Sequence, residues 1–191
     1  MPLTADEIER SALEILDRYG LGDLSMRRIA TGLGVAPGAL YWHVANKQQL
    51  LIGLARRIVG DPEPLDGPWQ SAVGQWARSL RSRLLEHRDG AELVASAVAL
   101  ADPVDADHPD ALAPAASLGR LLVAAGMSAG DAVAAADTVL HFTLGQTMAW
   151  QSRAQFRELG ITGPGAVSDS FDLGLELIID GMQNRVSTTQ R

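Results

Sequence analysis

Two chain breakers, Gly34 and Pro37, interrupt the run S-M-R-R-I-A-T-G-L-G-V-A-P-G-A-L-Y-W-H-V-A-N-K over Ser25–Lys47. A helix cannot pass straight through them, so the run must fold as two short helices and a turn. Ser25 reads as an N-cap for a helix over Met26–Gly32. Leu33-Gly34-Val35 reads as a tight turn in which Gly34 is free to take positive φ. Pro37 suits the first turn of the next helix, where its missing N–H costs nothing. That helix is expected to reach about His43, and Asn46 then caps a fourth from Lys47 to about Val59. Two short helices joined at a glycine turn make a helix-turn-helix. Ala30 is small enough for close helix approach, and Ile29, Leu33, Val35 and Leu40 supply a small core. The outward face then offers Pro37, Gly38, Ala39, Tyr41 and His43. Trp42, placed between Tyr41 and His43, is expected to point the other way, into the core.

Charge sharpens this reading. The whole chain has 191 residues and a net charge of −7, which taken alone argues against a nucleic-acid partner. Along the chain the charge is uneven. Leu24–Arg57 holds five bases (Arg27, Arg28, Lys47, Arg56, Arg57) and no acid. The residues beyond Arg57 carry 17 acids and nine bases. The positive part therefore coincides with the helix-turn-helix.

The remaining chain also reads as helix, with no alternating strand pattern. Thr4 with Glu7 forms a capping box for a first helix over about Ala5–Tyr19, closed by Gly20. Its apolar stripe is Ile8, Ala12, Ile15, Leu16 and Tyr19. The Gly/Pro/Asp-rich stretch Gly60–Pro68 marks a domain boundary. Further helices are expected over Trp69–Glu86, Ala91–Leu100, Ala111–Ala125, from Ser128 to about Arg153, and over Asp169 to about Arg185. The expected fold class is all-α: a three-helix helix-turn-helix domain in residues 1–59, and a larger helical ligand-binding and dimerisation domain in residues 60–191. With no cysteine there is no disulfide or thiolate chemistry. Met1–Arg10 holds four charges and no apolar run, so no signal peptide is expected, and no membrane span either. The expected compartment is the cytoplasm.

Each exposed residue of the motif suggests a role towards double-stranded DNA. Lys47 combines a cation with the free N–H groups of a helix start, which suits a phosphate. Tyr41 and His43 can donate to phosphate oxygens. Arg27 is the side chain here able to reach guanine with two hydrogen bonds, whereas Pro37 and Ala39 offer only apolar contact and Gly38 only backbone. Direct base reading is therefore sparse, and affinity should depend strongly on salt.

Residues 4–57 resemble the TetR family of bacterial transcriptional regulators through R-R-I-A, L-G-V, L-Y-W-H-V and N-K-x-x-L-L. The resemblance continues through W-Q at Trp69-Gln70, H-R-D-G-A at His87–Ala91, H-F-T-L-G at His141–Gly145 and F-x-L-G-L-E-L-I-I-x-G at Phe171–Gly181. These look like the tetracycline-repressor subgroup. The resemblance implies a homodimer, an operator released by a small-molecule effector, and pairing through a four-helix bundle of Ser128–Arg153 and Asp169–Arg185. Leu140, Leu144, Phe171, Leu175, Ile178, Ile179 and Met182 are the implied dimerisation residues. In that subgroup a histidine and a threonine hold a magnesium–drug chelate; the matching positions here are Val94 and Ala97. The drug-binding amide is replaced by Trp76, and the supporting carboxylate by Ala149. A histidine entering the core has no counterpart, because Gly60–Pro68 is short. Chelated tetracycline is thus not the expected effector. Trp76, Leu80, Val94, Ala97, Leu100, His141 and Met148 suggest a more apolar ligand.

His141 can be read as a ligand or a proton switch, or as a histidine bonded within the dimer contact. Asp102, Asp105, Asp107, His108 and Asp110 could hold a cation, but their spacing matches no EF-hand and reads as a solvated loop. Arg88 and Asp89 are expected to cap or pair locally. There is no Gly-rich phosphate loop, no His-x-x-x-His pair and no nucleophile elbow. No cofactor, metal or catalytic residue is therefore expected. Two other classes remain open: an enzyme using the apolar helical core, and a constitutive DNA-binding protein without effector.

Overall fold

The computed structural model of the chain describes residues 3–61, 65–101, 112–161 and 169–189. Among these the fold is helical throughout, with no strand. The first helix, α1 (Ala5–Tyr19), starts on the anticipated capping box: Thr4 accepts from the Glu7 N–H, and Glu7 reaches back to the Thr4 N–H. A single 3-10 turn (Leu21–Asp23) follows. Next come α2 (Met26–Leu33), α3 (Pro37–Leu40) and α4 (Lys47–Val59), with the side chains of Ser25 and Asn46 capping α2 and α4. The later helices are α5 (Trp69–Leu85), α6 (Gly90–Leu100), α7 (Ala116–Ala124), α8 (Ala129–Glu158) and α9 (Phe171–Thr189). Ser128 caps α8, which runs five residues past the expected Arg153. At 30 residues it spans about 45 Å.

The chain folds into two compact units. One comprises Met1–Gly60 together with Arg83–Leu112, and the other Asp61–Ser82 together with Ala113–Arg191. The first unit is thus discontinuous: the chain leaves it at Gly60 and returns near the end of α5. Its core holds Ile8, Ala12 and Leu16 of α1, Ile29 and Ala30 of α2, Leu40, and Leu50, Leu54, Ala55 and Ile58 of α4. Helix α6 packs along α4 and contributes Leu93, Val94 and Ala97. Each large apolar side chain removed from water contributes about 1.5–3 kcal/mol. Arg57 of α4 ties that helix to α1 by pairing with Asp6 and Glu9.

In the second unit α8 packs against α7 and α9. Leu118, Leu122, Ala132, Ala136, Val139, Leu140, Leu144, Phe171, Leu175 and Met182 are buried there. Thr143 and Thr147 are also fully buried, and each satisfies its hydroxyl on the carbonyl four residues back. Phe142 stacks on Phe171 with ring centres 5.5 Å apart. Arg81 of α5 lies over the Phe171 ring, 4.5 Å from its centre, and bonds Asp169 at 2.7 Å.

Candidate nucleic-acid interface

The turn of the motif is built by Gly34, which sits in the left-handed region at φ 67° and ψ 27°. There its N–H reaches Thr31 O, and the Val35 N–H reaches Ala30 O, closing α2. Pro37 opens α3, but regular helix ends at Leu40 rather than His43. The chain then turns, with His43 and Val44 both donating to Leu40 O.

This early stop corrects the reading of Trp42. The inward anchors are Leu40 and Val44, one helical turn apart and both buried. Tyr41, Trp42 and His43 are thereby left together on the outside. Trp42 is 89% exposed and packs no core. Alternation between neighbouring residues was the wrong rule for it, because a turn closed on Leu40 O presents all three intervening side chains to solvent.

Arg27, Pro37, Gly38, Tyr41, His43 and Lys47 are all exposed, and Ala39 is half-buried. Lys47 stands at the first position of α4, directly after Asn46, whose side chain accepts the Gln49 N–H at 2.8 Å. The five bases do not remain equivalent once the chain folds. Arg57 is neutralised by Asp6 and Glu9, and the guanidinium beside Asp6 holds that carboxyl below its ordinary range. Arg28 lies 2.6 Å from Asp23 and over the ring of Tyr19. Arg56 also has a partner. Arg27 and Lys47 form no ion pair among the described residues. Tyr19 itself departs from the apolar stripe expected of it, being half-exposed beneath Arg28 rather than buried.

At the junction after α5, Arg88 and Asp89 reach back to the end of α1 rather than capping α6. Asp89 takes a left-handed backbone at φ 55° and makes no cap bond to α6. Its carboxylate instead accepts the Leu21 N–H at 2.8 Å. The Arg88 N–H reaches Asp17, and His87 Nδ1 lies 3.1 Å from the same carboxylate. The end of α1 is therefore fastened to the start of α6. The sequence holds the H-R-D-G-A letters but no sign that their partners lie 68–71 residues away.

The seven residues suggested for the effector are distributed over both units. Val94 and Ala97 are buried in the first unit, where Leu100 is exposed. In the second unit Leu80 is buried and Trp76 half-buried. His141 and Met148 are exposed along α8. The implied dimerisation residues lie mostly inside the second unit. Leu140, Leu144, Phe171, Leu175 and Met182 are already buried within the single chain, and Ile178 and Ile179 are half-buried. The apolar residues that α9 leaves uncovered are Leu173 and Leu177, 61% and 65% exposed. They are one turn apart and form a second stripe beside the buried one. The Asp102–Asp110 loop with His108 lies outside the described residues. No cluster of metal-ligating side chains forms among the described residues, and none of their helices is long and apolar enough to cross a membrane.

Comparison with known proteins gives two matching family models. One, bacterial regulatory proteins of the tetR family, matches residues 8–54; the other, the tetracyclin repressor-like C-terminal domain, matches residues 61–161. The tetracycline repressor protein class A from transposon 1721 of Escherichia coli is 32% identical, with 96% of this chain and 92% of that protein aligned. The crystal structure of BioQ with its double-stranded DNA operator superposes with a TM-score of 0.78 at 40% identity, covering 94% of this chain and 98% of that one. ActR of Streptomyces coelicolor in complex with (S)-DNPA gives a TM-score of 0.75 at 30% identity, over 96% and 98% of the two chains.

Proposed function

The chain belongs to the TetR family of bacterial regulatory proteins and is a ligand-responsive DNA-binding regulator, and from that premise we propose that it is a homodimeric repressor of a near-palindromic operator. The observation that carries this reading is electrostatic. Of the five bases between Leu24 and Arg57, Arg27 and Lys47 stay exposed and without an ion pair, with Tyr41 and His43 exposed between them. Lys47, Tyr41 and His43 hold phosphate, while Arg27 reads a guanine and Pro37, Gly38 and Ala39 lie close to base edges. BioQ, a relative in fold and sequence, is known bound to its operator.

Two copies pair through α8 and α9. Leu173 and Leu177 form the uncovered apolar stripe of α9, and His141, Gly145 and Met148 lie at helical spacing along the exposed side of α8. Gly145 has no side chain to hold a partner helix away. The effector is hydrophobic or aromatic and meets Trp76 and Leu80 in the second unit; ActR, another relative, is known with a bound small molecule. To release DNA, that molecule must bind the conformer with mismatched reading heads more tightly than the operator-bound one. The protein works in the cytoplasm and has no catalytic activity of its own.

Selection of genomic duplexes by the purified protein tests this reading. Recovery of a near-palindrome bound by a dimer supports it; recovery of random sequence rejects operator recognition. Small molecules suggested by the neighbouring genes are then screened for operator release and for turnover. Turnover of the molecule would make the protein an enzyme, and operator binding indifferent to every one would point to constitutive binding. Leu173→Glu with Leu177→Glu should shift the sedimenting species towards monomer, and an unchanged dimer would remove α9 from the contact.

A further inference from the structure

Arg27 and Arg28 are neighbours in the first turn of α2, yet the fold gives them opposite surroundings. Successive helical residues diverge by about 100°. Arg27 points outward with no ion pair among the described residues. Arg28 turns back towards α1. Its guanidinium lies over the Tyr19 ring, 4.5 Å from the centroid, and its Nη1 is 2.6 Å from Asp23 Oδ1. That Nη1 atom is shut off from solvent and meets Asp23 as an ion pair without hydrogen-bond geometry, while 41% of the side chain stays exposed. Tyr19 ends α1, Asp23 ends the 3-10 turn, and Arg28 belongs to the first turn of α2. The three side chains therefore span every joint between α1 and the helix-turn-helix.

We propose that Tyr19, Asp23 and Arg28 form a lock that sets the angle of α2, so that Arg28 is a positioning residue for base reading by Arg27 rather than a DNA contact. This rests on the DNA-reading function proposed above. The chemistry supports a geometric role. A planar guanidinium stacked on an aromatic face and paired at its edge has a fixed plane and a fixed distance, which a lysine ammonium cannot reproduce. Arg27 follows directly from the backbone that Arg28 anchors. A small rotation of α2 displaces its long side chain from a guanine edge, while phosphate contacts made by Lys47 on another helix are unaffected. Loss of the lock should therefore lower discrimination between sequences more than it lowers attraction to DNA in general.

The test uses full-length protein, a duplex selected by it from a random-sequence library, and a shuffled duplex of the same composition. Arg28→Ala, Arg28→Lys, Tyr19→Leu and Tyr19→Phe are compared over a range of salt. Thermal unfolding of each variant confirms that it is folded. Arg28→Ala and Tyr19→Leu are expected to reduce the preference for the selected duplex roughly threefold to tenfold, with the salt slope unchanged. Tyr19→Phe keeps the ring and should retain the preference, whereas Arg28→Lys keeps the charge and should not. A salt slope reduced by about one in Arg28→Ala, with equal losses on both duplexes, would make Arg28 a phosphate contact and overturn the lock. Full preference in both Arg28→Ala and Tyr19→Leu would overturn it too. Wild-type protein that binds both duplexes alike would instead reject the DNA-reading function beneath it.

Discussion

Gly174 of α9 lies so close to Phe142 of α8 that a Cβ on it would stand 2.5 Å from the ring Cζ and 2.7 Å from Cε2. Phe142 cannot simply retreat, because its ring stacks on Phe171, which is itself covered by Arg81. Gly174→Ala is therefore expected to destabilise the protein by about 1–3 kcal/mol, as overpacking does elsewhere. Adding Phe142→Leu should recover part of that loss, since the two sites share one space. Urea unfolding at fixed protein concentration measures both; unchanged stability in Gly174→Ala alone would show that the ring swings aside freely.

The two unpaired bases should separate in DNA-binding experiments. Lys47→Ala is expected to weaken binding to all duplexes and reduce the salt slope by about one. Arg27→Ala should cost about 1–3 kcal/mol on the preferred duplex and relax the choice at one base pair. Titrations at several salt concentrations distinguish them. Identical losses on every sequence for Arg27→Ala would make that residue a phosphate contact.

Trp42 offers a direct check on the helix-turn-helix surface. A buried tryptophan cut to alanine costs about 3–5 kcal/mol, whereas an exposed one stays within about 0.5 kcal/mol. Because Trp42 stands almost wholly in solvent, Trp42→Ala should fall in the second class. A large drop in the unfolding midpoint would contradict the exposed placement.

Acid should loosen the α1–α4 closure. The hydrogen bond from Arg57 is the main cause of the depressed Asp6 carboxyl, and Arg81 acts likewise on Asp169. With a folded value below the unfolded one of about 3.9, each contribution is complete above that value and is lost as pH falls through the folded value. The stability gap between wild type and Asp6→Asn should therefore be constant near neutral pH and close below about pH 4. Both groups are exposed, so solvent keeps the gap small. Denaturant midpoints across pH 2–7 measure it, and a gap that widens in acid would reverse the assignment.

Much of the first unit was legible because its signals are local. Thr4 with Glu7 and Asn46 with Gln49 place helix starts through bonds three residues long. Gly34 marks the turn for an equally local reason, its positive φ. Helix α9 carries two apolar stripes, and periodicity alone does not say which one the chain itself covers. The effector residues were placed from resemblance, and in the fold they divide between two units.

What the sequence determined by itself was the helical fold, the reading head, and the separation of a basic segment from an acidic remainder. These follow from spacing, caps and charge order, which act over a turn or two of chain. The tertiary structure decided which bases of that segment are left without an ion pair. Arg57 is neutralised by Asp6 across 51 residues, and Arg28 is drawn onto Tyr19 and Asp23. Arg27 and Lys47 keep their charge for a partner. Ion pairing depends on distance through space, and that distance exists only after α1, α2 and α4 have packed.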